Sequence, residues 1–130
     1  MYKPALMAGA LFAALAVIFG AFGAHTLKET FLMPQDQLAI FDTGVRYQFY
    51  HSIALLITGI IFSSFPVKQL KLANTFFIIG IVLFSGSLYA MTLLRLSGIG
   101  LGPVGIITPI GGLCFIIGWV LLLVGIIKMK

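Results

Sequence analysis

Three short patches of charge divide this chain into four stretches that contain no Asp, Glu, Lys or Arg: Pro4 to Leu27, Tyr47 to Val67, Leu72 to Leu94 and Leu96 to Ile127. A bilayer hydrocarbon core about 30 Å thick takes about 20 helical residues to cross. The first three stretches each match one crossing.

The fourth stretch is longer, but its first half is dense in helix breakers. Gly98, Gly100, Gly102, Pro103 and Gly105 follow one another closely, and Pro109, Gly111 and Gly112 come soon after. Glycine and proline punctuate helices. The fourth helix is therefore expected from about Thr108 to Ile127, with Pro109 in its first turn, where proline is tolerated. The glycine-rich segment before it reads as a loop at the membrane interface or folded on the helix ends. The expected fold is all-α, one domain spanning 1–130, with helices over about 4–25, 38–65, 70–94 and 108–127.

Composition agrees with a lipid environment. Of the residues, 61% are hydrophobic and 8% charged, whereas a soluble domain carries about a quarter charged. Lipid removes the need for a polar coat. The formal charge is +5, from eight Lys and Arg against three Asp and Glu. A nucleic-acid binder gathers its basic residues on one face. Here they are scattered between apolar blocks, so they read as topology signals and contacts to anionic lipid heads. No nucleic-acid partner is expected. Membrane lipids are expected partners, and the sequence leaves homo-oligomerisation and any protein partner open.

The basic residues also orient the chain. With four crossings, Lys3, Lys68, Lys71, Lys128 and Lys130 share one side and Lys28, Arg46 and Arg95 the other. The positive-inside rule then puts both termini in the cytoplasm of a bacterial plasma membrane. Lys3 and Ala21-Phe22-Gly23 mimic parts of a cleavable signal, but the apolar run between them is too long for one. A two-plus-two repeat, suggested by Ile18-Phe19-Gly20 and Leu83-Phe84-Ser85, needs a gap to align and is read as chance.

Small residues recur at helical spacing in the first helix (Gly9, Ala13, Ala16, Gly20) and in the last (Gly111, Gly118, Gly125). In lipid such residues let backbones approach closely, so both runs read as packing seams. Ser85, Tyr89 and Thr92 share a face of the third helix, where hydroxyls bond to neighbouring helices or back to carbonyls. Trp119 lies mid-helix and reads as packing. Cys114, the one cysteine, can form neither an intrachain disulfide nor a metal site alone and reads as a small buried residue.

Ionisable groups in a membrane helix are costly and often functional. His25 ends the first helix, while Tyr47 and His51, four apart, share a face of the second. The expectation is a polar group at the outer ends of the bundle, formed by His25, Arg46, Tyr47 and His51, with Ser85, Tyr89 or Arg95 nearby. Hydrogen bonding within the fold is the first role expected of the histidines and ligand, proton or lipid binding the second. Two histidines and one distant aspartate make a poor metal site, so no metal is expected. The glycines at 98–105 lack the Gly-Lys-Ser/Thr of a nucleotide loop. No catalytic triad or carboxylate pair stands out, and neither a catalytic residue nor a cofactor is expected.

Taken together, Gly20-Ala21-Phe22-Gly23-Ala24-His25, Arg46-Tyr47-Gln48-Phe49-Tyr50-His51, Leu83-Phe84-Ser85-Gly86-Ser87-Leu88-Tyr89, Thr108-Pro109-Ile110-Gly111-Gly112 and Gly118-Trp119 resemble the domain-of-unknown-function family 423. These are small multi-pass bacterial membrane proteins. The resemblance runs in order along nearly the whole chain. It implies a membrane location and brings no activity, substrate or catalytic residue with it. The leading expectation is a non-enzymatic structural or interaction protein of the cell membrane. The alternative is a small oligomeric transporter or channel using the outer polar group, with a lipid-modifying enzyme third.

Overall fold

The computed structural model describes residues 2–98 and 104–130. α1 (Lys3–Ala21) continues without interruption into a π-helical stretch, Phe22–Thr30. α2 is Gln35–Ser64. α3 (Lys68–Gly80) passes through a π-helical turn, Ile81–Ser85, into α4 (Gly86–Leu96), and α5 is Val104–Lys128. The described residues thus form four long rods, and the architecture is all-α.

The rods are joined by specific local chemistry. The first ends with Leu32 in the left-handed region, at φ 51°. The Phe31 N–H reaches the Thr26 carbonyl at 3.1 Å and the Met33 N–H reaches that of Leu27 at 2.9 Å. The first bond continues the five-residue spacing of the π-helical stretch and the second spans six. The end therefore closes more widely than an α-helix does, with leucine in the left-handed position where glycine is usual. α4 stops at Gly98, whose φ of 77° costs glycine nothing. Most of the glycine-rich loop expected after it falls on 99–103, outside the described residues.

Packing is set by missing side chains. α1 lies along α2, where an added Cβ on Gly9 would sit 2.9 Å from the Ser52 carbonyl oxygen. Ala5 and Ala16 are buried on the same seam. α3 and α5 interlock: the Phe115 ring fills the space over Gly80, and the Phe77 ring that over Gly118. Gly111 meets the Phe84 backbone, and Gly125 meets Leu70. The run of glycines seven apart is therefore the seam of α5. The central core joins Ala54 and Leu55 of α2, Leu70, Ala73 and Phe77 of α3, Ile81 of the π turn, and Phe115 and Leu122 of α5. A smaller cluster of Leu27, Met33 and Phe41 closes the opposite end. On the third rod Leu70, Ala73, Phe77, Ile81, Ser85, Leu88 and Thr92 are buried. Three successive steps of four, from Ala73 to Ser85 and ending across the π turn, keep that seam facing inward.

Three rods are long and apolar enough to cross a membrane: Lys3–Thr30, Lys68–Leu96 and Val104–Lys128. The expectation was four. α2 falls short on apolarity because it carries Gln48, His51, Ser52 and Thr58, and all four are buried against its neighbours. Side chains such as Leu11, Val17, Ile60, Val82, Ile116 and Leu123 project outward instead. Exposed apolar surface on this scale marks a membrane contact.

Two further expectations are corrected. α5 begins at Val104, not near Thr108, so Pro109 lies inside the helix. Its missing N–H costs the hydrogen bond to the Gly105 carbonyl, in the second turn of the helix. Cys114 is free and half-buried rather than buried.

Candidate functional site

The interior of the bundle is crossed by polar links, most of which start on α2. Gln48, 2% exposed, is the branch point. Its Nε2 donates to the Phe12 carbonyl of α1 at 2.8 Å, and its Oε1 accepts the Tyr89 hydroxyl of α4 at 2.7 Å. One amide therefore ties three rods. One turn toward the helix start, the Gly44 carbonyl accepts the Ser85 hydroxyl at 2.7 Å. Tyr89 can lie this close because Gly44 has no Cβ, and one added there would be 2.9 Å from the tyrosine ring.

His51 is held from two sides. The Trp119 indole N–H donates to its Nε2 at 3.0 Å. An indole can only donate, so Nε2 carries the lone pair and Nδ1 the proton. Nδ1–H donates to the Tyr47 carbonyl at 2.7 Å. The imidazole is neutral, in one tautomer, with both nitrogens satisfied. Its ring stacks on Phe115 at 3.6 Å between centroids and 10° between planes, and Phe77 and Trp119 pack on its other sides. Farther along α2, Thr58 bonds to Asn74 of α3. Ser87 and Thr108 join α4 to α5.

The structure does not gather the seven expected site residues into one group. His25 is exposed on the π-helical stretch. It lies five residues beyond Gly20, which faces Val45, whereas His51 lies six residues the other way. At about 1.5 Å per residue the two histidines are roughly 16 Å apart along the bundle. Arg46 points outward and pairs with Asp42 at 3.0 Å, both more than half exposed. Arg95 is also exposed. Tyr47 uses its carbonyl for His51, while its ring packs on Phe84. Ser85 and Tyr89 join the interior links described above. The residues sort by exposure: His25, Arg46 and Arg95 lie at the surface, while His51, Ser85 and Tyr89 hydrogen-bond in the interior.

Gln48 and Asn74 belong with the inner set and were missed as candidates. The signal for both was a carboxamide inside a charge-free apolar stretch, where a polar group needs a partner. Trp119, read as packing, is also a hydrogen-bond donor to His51.

Three hollows bear on function. One of about 340 Å³ opens between α1 with its π-helical continuation and α2, beside Lys28, Asp42 and Arg46. A second, of about 330 Å³, follows it along the same seam, between Val17, Ala21, Phe49 and Tyr50. The third, of about 710 Å³, is an aromatic recess formed by Tyr47, Phe84, Phe115 and Trp119 around one edge of His51.

A family model described as "Protein of unknown function (DUF423)" matches residues 19–112. The UPF0382 membrane protein YwdK of Bacillus subtilis is 37% identical over 97% of this chain and 98% of its own length. A UPF0382 membrane protein of Staphylococcus saprophyticus is 39% identical over 98% and 99%. The UPF0382 inner membrane protein YgdD of Escherichia coli K12 is 38% identical over 97% and 88%. No solved structure matches the chain.

Proposed function

This chain belongs to the DUF423 family of membrane proteins, and we propose that it is a four-span, non-enzymatic structural or interaction protein of the bacterial plasma membrane, with both termini cytoplasmic. α2 is the fourth span, its polar residues being turned away from lipid.

One observation carries the reading: Gln48, His51, Thr58 and Ser85, the polar side chains that link the rods, are closed from solvent and already bonded. Among the described residues only Gln37 Oε1 and Asn74 Nδ2 are buried without a partner, and neither is a nucleophile or a base. Ser85 and Thr58 are 0% exposed and His51 is 4% exposed. A transport path needs a wet stripe reaching both faces, and a catalytic group needs a reactive atom left free. The orientation is supported by the segregation of charge. Tyr2 packs on Phe62, and Gly125 packs on Leu70 and Gln69. These contacts bring Lys3, Lys68, Lys71 and Lys128 to one end. The bacterial inner membrane is where the Escherichia coli relative is named as residing.

Cysteine scanning in proteoliposomes tests the reading. With Cys114 replaced, Thr58→Cys and Ser85→Cys should resist a water-soluble thiol reagent from both sides, and the vesicles should pass protons no faster than empty ones. Labelling of both positions, or protein-dependent flux, would overturn it. A C-terminal reporter active outside the cytoplasm would overturn the orientation.

A further inference from the structure

We propose that the groove between α1 and α2 at its Lys28–Arg46 end is a binding site for one anionic phospholipid. The proposal rests on the reading that both rods cross the membrane. Two hollows meet there, sharing Gly20, Val45 and Arg46. The outer one is polar, with Lys28, Asp42 and Arg46 at its mouth. The inner one is an apolar trough between Val17, Ala21, Phe49 and Tyr50.

The groove exists because the seam runs short of side chains. Gly20 has none, and a Cβ placed there would still be 3.4 Å from Val45. Ala21 and Ala24 are short and exposed. The chief neighbour of α1 is α2, so the trough opens sideways into the bilayer.

Depth fits a lipid. Counting about 20 residues back from Ser64, the length that crosses the hydrocarbon core, reaches Arg46. The mouth therefore lies at headgroup level and the trough at acyl-chain level. Charge fits an anionic head. Lys28 and Arg46 outweigh Asp42 by one positive charge. Arg46 uses only Nε on Asp42, and its remaining guanidinium N–H groups are donors suited to a phosphate.

Native mass spectrometry of the purified full chain in detergent, titrated with phosphatidylglycerol or phosphatidylcholine, tests this. The wild type should retain phosphatidylglycerol more tightly than phosphatidylcholine. Lys28→Gln and Arg46→Gln should each reduce that preference about fivefold, the effect of one basic residue near a lipid surface. Ala21→Leu, which fills the trough from an exposed position, should weaken both lipids. Lys71→Gln, at the other end of the bundle, should leave the preference intact. Equal retention of the two lipids by the wild type overturns the proposal. So does a preference that survives both mouth substitutions, or one that Lys71→Gln lowers equally. A lipid-free dimer dispersed by Ala21→Leu would assign the groove to a second copy and overturn it too. None of these outcomes alters thiol access at Thr58→Cys, so the lipid site and the closed-interior reading fail separately.

Discussion

Gly111 and Gly112 are adjacent in α5, yet the structure assigns them opposite responses to the same methyl group. At Gly111 an added Cβ would lie 2.3 Å from the Phe84 backbone nitrogen and 2.7 Å from its Cα. Comfortable carbon contact begins near 3.5 Å, so the two helices would have to part by about 1 Å. The obstacle is backbone and cannot rotate aside. Overpacking costs about 1–3 kcal/mol, and a backbone clash belongs at the upper end, about 3. Exchanging glycine for alanine inside a helix returns about 1 kcal/mol. Gly111→Ala should therefore destabilise by about 2 kcal/mol, roughly a 30-fold change in the folding equilibrium. At Gly112 the nearest atom is a Phe84 ring carbon at 3.7 Å, an ordinary contact, and only the gain of up to about 1 kcal/mol remains. The neighbours should differ by about 3 kcal/mol. Unfolding in mixed micelles with increasing dodecyl sulfate, followed by far-UV circular dichroism, measures the difference. If the two variants lie within about 0.5 kcal/mol of each other, the close approach of α5 to the π turn at Phe84 is wrong.

Three other substitutions probe separate features by the same titration. Gln48→Leu should cost about 1–2 kcal/mol by leaving the Tyr89 hydroxyl without its acceptor, and combining it with Tyr89→Phe should cost less than the sum of the two. His51→Leu should cost about 1–3 kcal/mol through the orphaned indole N–H. It should also shift the emission of Trp119, the one tryptophan, and an unchanged spectrum would refute the hydrogen bond. Leu32→Gly should stabilise by about 1–2 kcal/mol, because Leu32 holds a left-handed backbone while 77% exposed; a loss of stability would show that its side chain is needed.

The rods were legible in the sequence because lipid leaves little freedom: a charge-free stretch long enough to cross must satisfy its own backbone. The seams were legible where small residues mark them, as at Gly9 and at Gly111, Gly118 and Gly125. The π-helical segments were not. A hydrogen-bonding pattern of i to i+5 leaves no hydropathy signature, and Phe22–Thr30 reads simply as the frayed end of an apolar helix. The inner links were half legible. Ser85 and Tyr89 were expected to bond across to a neighbour or back to a carbonyl, but their partners depend on how each rod is rotated about its axis. His51 and Trp119 are 68 residues apart, and nothing local to either names the other. The pairing of His25 with His51 failed on depth: the first helix runs past His25 to Thr30, which carries that histidine outward, while His51 sits well inside α2.

The same geometry explains why polarity is distributed so unevenly among the rods. A membrane helix can carry amide, imidazole and hydroxyl groups only where neighbouring helices supply partners, since lipid supplies none. α2 packs on α1, α3 and α4, and it holds Gln48, His51, Ser52 and Thr58 without exposing them. Its weak apolarity is therefore compatible with the fourth span proposed above. α5 faces lipid along Ile106, Ile110, Leu113, Ile116, Val120, Leu123 and Ile127, and from Val104 it carries no charged residue until Lys128. α1 is the intermediate case, apolar outside and small-residued toward its chief neighbour. Side chains there are too short to seal the α1–α2 seam around Gly20 and Ala21, and this is where the bilayer itself can reach into the protein.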